Sequence, residues 1–186
     1  MTVATTDTIG NPTRTQGPAS MAKAGKYLTF RLASEVYGLE ILKVREIIGL
    51  INITRIPQSP AYIRGVINLR GKVIPVLDLR RRFGMAVEAD TEQTCIIVVD
   101  VKTASGKLLM GVVVDAVSEV LDIGGQQIES APAVGSTTDG TFIHGIAKLK
   151  DDVKILLDID RVFDGTELDS VVSESVGTRG TELVEA

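Results

Sequence analysis

Few residues in this 186-residue chain have the chemistry for a reaction. His144 is the single histidine, Cys95 the single cysteine, and Asp78 and Asp158 are the most suggestively placed carboxylates. A catalytic site needs such a group beside a nucleophile or base, and a metal site needs several ligands at close spacing. The sequence offers neither arrangement. His144 precedes a glycine at the head of an expected strand and reads as structural and solvated. Cys95 leads into Ile96-Ile97-Val98-Val99 and reads as a buried strand thiol. No GxxxxGK, HExxH or GxSxG pattern occurs, and Gly124-Gly125 is an isolated pair. The expectation is no catalytic residue, no metal and no cofactor.

The two aspartates lose their catalytic look once their surroundings are compared. Tyr62–Phe83, YIRGVINLRGKVIPVLDLRRRF, aligns without a gap on Phe142–Phe163, FIHGIAKLKDDVKILLDIDRVF. Identical pairs are Ile63/Ile143, Gly65/Gly145, Leu69/Leu149, Val73/Val153, Leu77/Leu157, Asp78/Asp158, Arg81/Arg161 and Phe83/Phe163. A duplicated Asp ahead of an apolar, arginine-bearing segment is what a helix N-cap requires. The repeat therefore assigns Asp78 and Asp158 to capping and makes the chain two copies of one small unit.

Alternating apolar residues predict strands at 26–32 and 36–41, and again at 94–101 and 108–114. Ile41, Val44, Ile47 and Ile48 fall at helical spacing and predict a short amphipathic helix, with a counterpart aligned through Gly38/Gly111, Val44/Val117 and Glu46/Glu119. Residues 51–56 form another expected strand, and Ser59-Pro60 opens one helical turn. Residues 65–69 and 72–77 make a hairpin about Arg70-Gly71. Pro75, unable to donate, leaves one side of its strand unpaired or bulged.

About five short strands per copy suggest a small closed barrel, which hides its edges. A barrel of ~60 residues buries only about 60% of its chain surface, so the two should pack together and share a core. The first is expected at about 26–90 and the second at about 91–165, with strand exchange possible. Residues 1–25 and 166–186 read as polar tails, with one weak helix near 167–172, and 129–141 as a flexible loop. No signal peptide or span of ~20 apolar residues is seen, which predicts a cytoplasmic protein. A net charge of −4 and 4% aromatics disfavour the alternative, a small-barrel nucleic-acid-binding protein.

Requirements of the fold act alike on both copies, so differences between them mark candidates for partner contact. Arg64 stands against His144, and the tip Asn68-Leu69-Arg70-Gly71 against Lys148-Leu149-Lys150-Asp151. Arginine suits bidentate pairing with a partner carboxylate, though a solvated surface charge is an equal reading.

The run YGLEILKVREI, then TRIPQSPAYIRGVINLRGKVIPVLDLRRRFG, GVVVDAVSEVL, HGIAKL and ILLDIDRVF closely resembles the chemotaxis coupling protein CheW family, from about Tyr27 to Phe163. The resemblance implies a mainly β fold of two five-stranded SH3-like β-barrels side by side, with short helices. It implies a non-enzymatic adaptor that joins methyl-accepting chemoreceptor tips to the regulatory domain of the histidine kinase CheA and supports their arrays at the membrane. Carried onto this chain, the receptor-binding candidates are Arg70, Glu46, Arg64 and Asn68, with Val44 and Ile47 offering an apolar floor. The resemblance places no individual kinase-binding residue.

Overall fold

The structure, a computed structural model, describes residues 22–103, 106–131 and 142–163. The expected tails, the weak helix near 167–172 and most of the 129–141 loop lie outside these residues. Residues 22–25, assigned to the tail, instead belong to the fold. Ala22 is buried, its N–H donates to the His144 carbonyl at 3.3 Å, and Gly25 already begins a strand.

Among the described residues, eleven strands form two sheets: β1 (Gly25–Leu32), β2 (Glu35–Glu40), β3 (Val44–Gly49), β4 (Ile63–Leu69), β5 (Lys72–Asp78), β6 (Cys95–Thr103), β7 (Gly106–Val114), β8 (Ala116–Ile123), β9 (Ile128–Glu129), β10 (Ile143–Leu149) and β11 (Asp152–Leu157). The orders are β8-β1-β2-β11-β10-β9 and β3-β6-β7-β5-β4. In each sheet the chain leaves one edge strand and at once pairs briefly with the opposite edge. After β8 it makes β9 against β10, and after β3 Thr54 bridges Val66 on β4. Each sheet thus curls into a small SH3-like barrel. Val66 gives both its N–H and its carbonyl to Thr54 (2.8 and 2.9 Å), so its partner Pro75 faces away from β4. Pairing of β5 with β7 begins only at Val76, one residue past the missing donor.

The halves exchange strands reciprocally. β1 and β2, from the first half, join β8 to β11; β6 and β7, from the second, join β3 to β5. The division near residue 90 therefore does not coincide with the division between sheets. Two equivalent parallel joins seal the exchange, Tyr37-Gly38 beside Ile155-Leu156 and Gly111-Val112 beside Val76-Leu77. Close approach explains why glycine recurs at both. A Cβ on Gly38 would sit 2.9 Å from a Leu156 methyl, and one on Gly111 2.9 Å from an Ile96 methyl.

Each barrel keeps a small interior of its own, Tyr27, Ile123, Ile128, Ala147 and Leu156 in one, Ile67, Ile74, Val76, Ile96 and Val98 in the other. The largest cluster lies at the join and draws on both, with Phe30, Leu39, Leu77, Leu79, Val99, Met110, Leu157 and Phe163 among its buried members. Full burial of each such side chain stabilises by roughly 1.5–3 kcal/mol. Phe30, Tyr37, Phe83 and Phe142 run through it with successive ring centroids 5.8–5.9 Å apart.

The expected amphipathic helix at 41–48 is absent. Ile41–Lys43 is a single 3-10 turn, and Val44–Gly49 is the extended strand β3. Its counterpart is likewise a strand, β8. Residues 51–56 supply only the Thr54 bridge rather than a strand. The two capped helices form as expected but short, α1 (Leu79–Arg82) and α2 (Ile159–Val162). Asp78 Oδ1 accepts the Arg81 N–H at 3.4 Å, and Asp158 Oδ1 the Asp160 N–H at 3.1 Å. His144 is structural but not solvated: its side chain is 9% exposed and Nδ1 lies 3.9 Å from Glu40 Oε1.

Candidate functional site

The β4–β5 hairpin closes through a two-residue turn, with Leu69 paired to Lys72. Arg70 (φ 52) and Gly71 (φ 84) both lie in the left-handed region, the form that matches the twist of a hairpin. Glycine adopts it freely, whereas an arginine does so only where the surroundings impose it. Asn68 imposes it here, accepting the Gly71 N–H on Oδ1 at 2.9 Å. In the second copy Lys150-Asp151 makes the same two-residue connection, yet neither has positive φ. The copies therefore differ in turn geometry as well as in charge.

Held this way, the Arg70 guanidinium meets Glu46 on β3. Its two terminal nitrogens donate to the two carboxylate oxygens at 2.8 Å each. Hydrogen bonds from Arg70 hold the Glu46 carboxyl below its ordinary range. Arg70 remains 75% exposed in its side chain while Glu46 is 27% exposed. An ion pair this exposed does little for stability; its effect is to fix the direction of one arginine. A β-bulge between Val44 and Glu46 sets the orientation of the carboxylate, since Val44 pairs with Val99 and Glu46 with the adjacent Val98. Arg45 contacts Asp100 alongside, and with Lys72 and Leu109 these residues line an open groove of about 480 Å³.

The other candidates separate. Arg64, on β4, forks onto Asp90 at 3.0 and 2.7 Å and lies 3.9 Å from Asp78. Those bonds hold the Asp90 carboxyl low. Asn68 shapes the turn, Val44 packs against the shared core, and Ile47 is 44% exposed. Sequence reasoning singled out Arg70 and Glu46 separately and brought neither into contact with the other. It missed Asp90, read as part of a polar connection, and Asp100, whose only signal was a charge at the end of an apolar strand.

A family model described as a CheW-like domain matches residues 26–167. The Chemotaxis protein CheW of Klebsiella aerogenes is 38% identical over 143 residues, spanning 77% of this chain and 84% of that one. Its namesake in Rhizobium meliloti is 35% identical over 155 residues, 79% of this chain and 97% of the relative. Among solved structures, the scaffolding protein TtCheW from Thermoanaerobacter tengcongensis superposes with a TM-score of 0.68 at 40% identity, covering 76% of this chain and 93% of that one.

Proposed function

The chain belongs to the CheW-like family and is a chemotaxis coupling adaptor; from this premise we propose that it couples by presenting the Arg70–Glu46 hairpin face to chemoreceptor tips. The other contacts go to the regulatory domain of the histidine kinase CheA, and the assembly is recruited to receptor arrays at the membrane. The observation that carries the reading is the exposed, forked Arg70–Glu46 pair. It points a polar group in a fixed direction while adding little to the fold. Ile47 supplies exposed apolar surface on the same strand as Glu46. Arg64 and Asn68 act behind this face, one forked onto Asp90 and the other holding the turn, and Val44 supports it from the shared core.

The output is adhesion with no bond made or broken. A standard interface needs ~800 Å² from each partner, and a body with 12661 Å² of accessible surface can host two. Once the partners are joined, each further contact is intramolecular and weak affinities combine. Signal passes because receptor state changes which kinase arrangement is the more stable.

The test is a pull-down of the full chain with a receptor cytoplasmic fragment and with CheA, separately and together. Capture of both, with the receptor arm reduced by Arg70→Glu and the kinase arm retained, is expected. Equal loss of both arms in a folded variant removes the site assignment, and capture of neither removes the partners.

A further inference from the structure

A second open pocket, of about 300 Å³, lies beside the chain between Ile53 and Arg64. We propose that it is a docking site for an acidic segment of a partner protein, a short peptide stretch carrying a carboxylate next to an apolar side chain. It goes beyond the receptor-facing reading and shares only Arg64 with that set of residues.

The walls are apolar where Ile53, Ile56, Pro60 and Ile63 approach, and basic where Arg55 and Arg81 do. The cations here outnumber their counter-ions. Arg64 is committed to Asp90 through two hydrogen bonds. Asp78 caps α1 and stands only near the two other guanidiniums, 3.9 Å from Arg64 and 3.7 Å from Arg81. Arg81 gives one terminal nitrogen to the Ala61 carbonyl at 3.1 Å, and its Nε has no hydrogen-bond acceptor. Arg55 is exposed and makes no hydrogen bond or ion pair with the described residues. Three arginines therefore face two carboxylates, at one place on a chain whose net charge is −4.

Size and lining choose the occupant. A volume of about 300 Å³ is at the small end for a ligand pocket and takes two or three side chains. Arginine prefers a carboxylate that it can grip with two donors, and the isoleucine side of the pocket favours an apolar neighbour for that carboxylate. The second copy has His144 at the Arg64 position, so the guanidinium at this place is particular to the first copy.

The test uses the full chain with isotope-labelled isoleucine methyls and the blocked tetrapeptide acetyl-Leu-Glu-Asp-Ile-amide. The expected result is saturable shifts at Ile53, Ile56 and Ile63 that weaken as salt is raised. The Gln/Asn isostere of the peptide should bind about tenfold more weakly, a loss matching one charge-assisted contact. Arg55→Glu should weaken binding by a similar factor with unchanged thermal unfolding, and Arg55→Lys should retain most of it. Equal binding of the neutral peptide, or full binding to Arg55→Glu, overturns the proposal. Shifts at these methyls that follow protein concentration without peptide would make the occupant a second copy and overturn it too. So would tighter peptide binding after the six acidic residues of 164–186 are replaced by amides, because the chain's own carboxylates would then be the occupant.

Discussion

Arg82 donates its Nε–H to the carbonyl of Val162 at 3.0 Å, and Val162 is the residue that occupies the position of Arg82 in the second copy. The same guanidinium lies 4.6 Å from the ring centroid of Tyr62 and 5.0 Å from that of Phe142, another pair of counterparts. Arg82 thus sits where the pseudo-twofold relation between the copies passes through the molecule. Around it, each copy contributes strands to the barrel of the other.

Two copies that exchange strands could also exchange them wrongly, and the ion pairs across the join are set against this. Arg80 in α1 reaches Asp115, just beyond β7, at 2.8 and 2.5 Å; its counterpart Asp160 in α2 reaches Lys43, just beyond β2, at 2.7 Å. The charges are inverted, so neither helix can take the other's partner. Burial raises the Asp115 carboxyl, but the Arg80 bonds and the Ala33 N–H outweigh it and leave the carboxyl low. Arg80→Leu should cost about 3 kcal/mol, mostly by stranding a partly buried carboxylate. Urea unfolding of Arg80→Leu, Asp115→Leu and the double variant measures this; the double variant should lose less than the sum. Strict additivity would show that the pair is not coupled.

The duplicated glycine before each hairpin gives a sharper comparison. Gly65 has φ +143, and a Cβ there would lie 2.0 Å from the Thr54 carbonyl oxygen, which is backbone and fixed by its own hydrogen bond to Val66. At Gly145 the nearest atoms are all at 3.1 Å and the backbone is not left-handed. Gly65→Ala should therefore cost more than about 3 kcal/mol by breaking the bridge, and Gly145→Ala about 1 kcal/mol. Thermal unfolding of the two single variants decides; equal losses would mean that Thr54 yields.

These residues show why some of the fold was readable and some was not. The capping aspartates and the two-residue hairpins are local, so the sequence carries them openly. The helix expected at 41–48 failed because a spacing of three has another source: the 3-10 turn separates Ile41 from Val44, and the bulge separates Val44 from Ile47 on the same face. A strand with an extra residue looks helical over so short a window. Strand exchange was expected only as a possibility, and which strands cross was not legible, because Gly38 and Gly111 show only that a close neighbour exists. Within the candidate site, copy-to-copy differences pointed to Arg70 and Arg64 and the resemblance to Glu46, while the pairing of Arg70 with Glu46 and of Arg64 with Asp90, 24 and 26 residues apart, needed the folded sheet.

Tyr27 should give the fold an alkaline limit. Its hydroxyl donates to the Lys23 carbonyl at 2.6 Å inside one barrel, and burial together with nearby Glu40 pushes its pKa up to about 12. The native state thus favours the neutral phenol relative to an unfolded chain that ionises near 10. Stability is intact below pH ~10 and declines as pH rises from there through 12, by about 2–3 kcal/mol. Unfolding midpoints against pH, with phenolate absorbance followed in parallel, should show Tyr27 ionising only with unfolding. Tyr27→Phe should flatten that decline, though Tyr37, also raised by burial, keeps part of it. A decline as steep as in the parent would place its origin elsewhere.

The Arg70–Glu46 pair can be tested by exchanging its members. Arg70→Glu should leave the folded state intact, because a 75% exposed turn residue contributes no core contact, yet it should abolish receptor-dependent control of the kinase. Adding Glu46→Arg restores an ion pair between β3 and the hairpin but points the opposite charges outward. If the pair served only to tie the hairpin down, the double exchange would recover coupling. If the receptor reads the arginine, the double variant should stay uncoupled while binding the kinase normally. Lys150→Ala supplies the comparison from the other barrel, where the turn has no positive φ, and it should couple as the parent does. Loss of coupling at Lys150 equal to that of Arg70→Ala would show that both hairpins meet the receptor and that the difference between the copies carries no function.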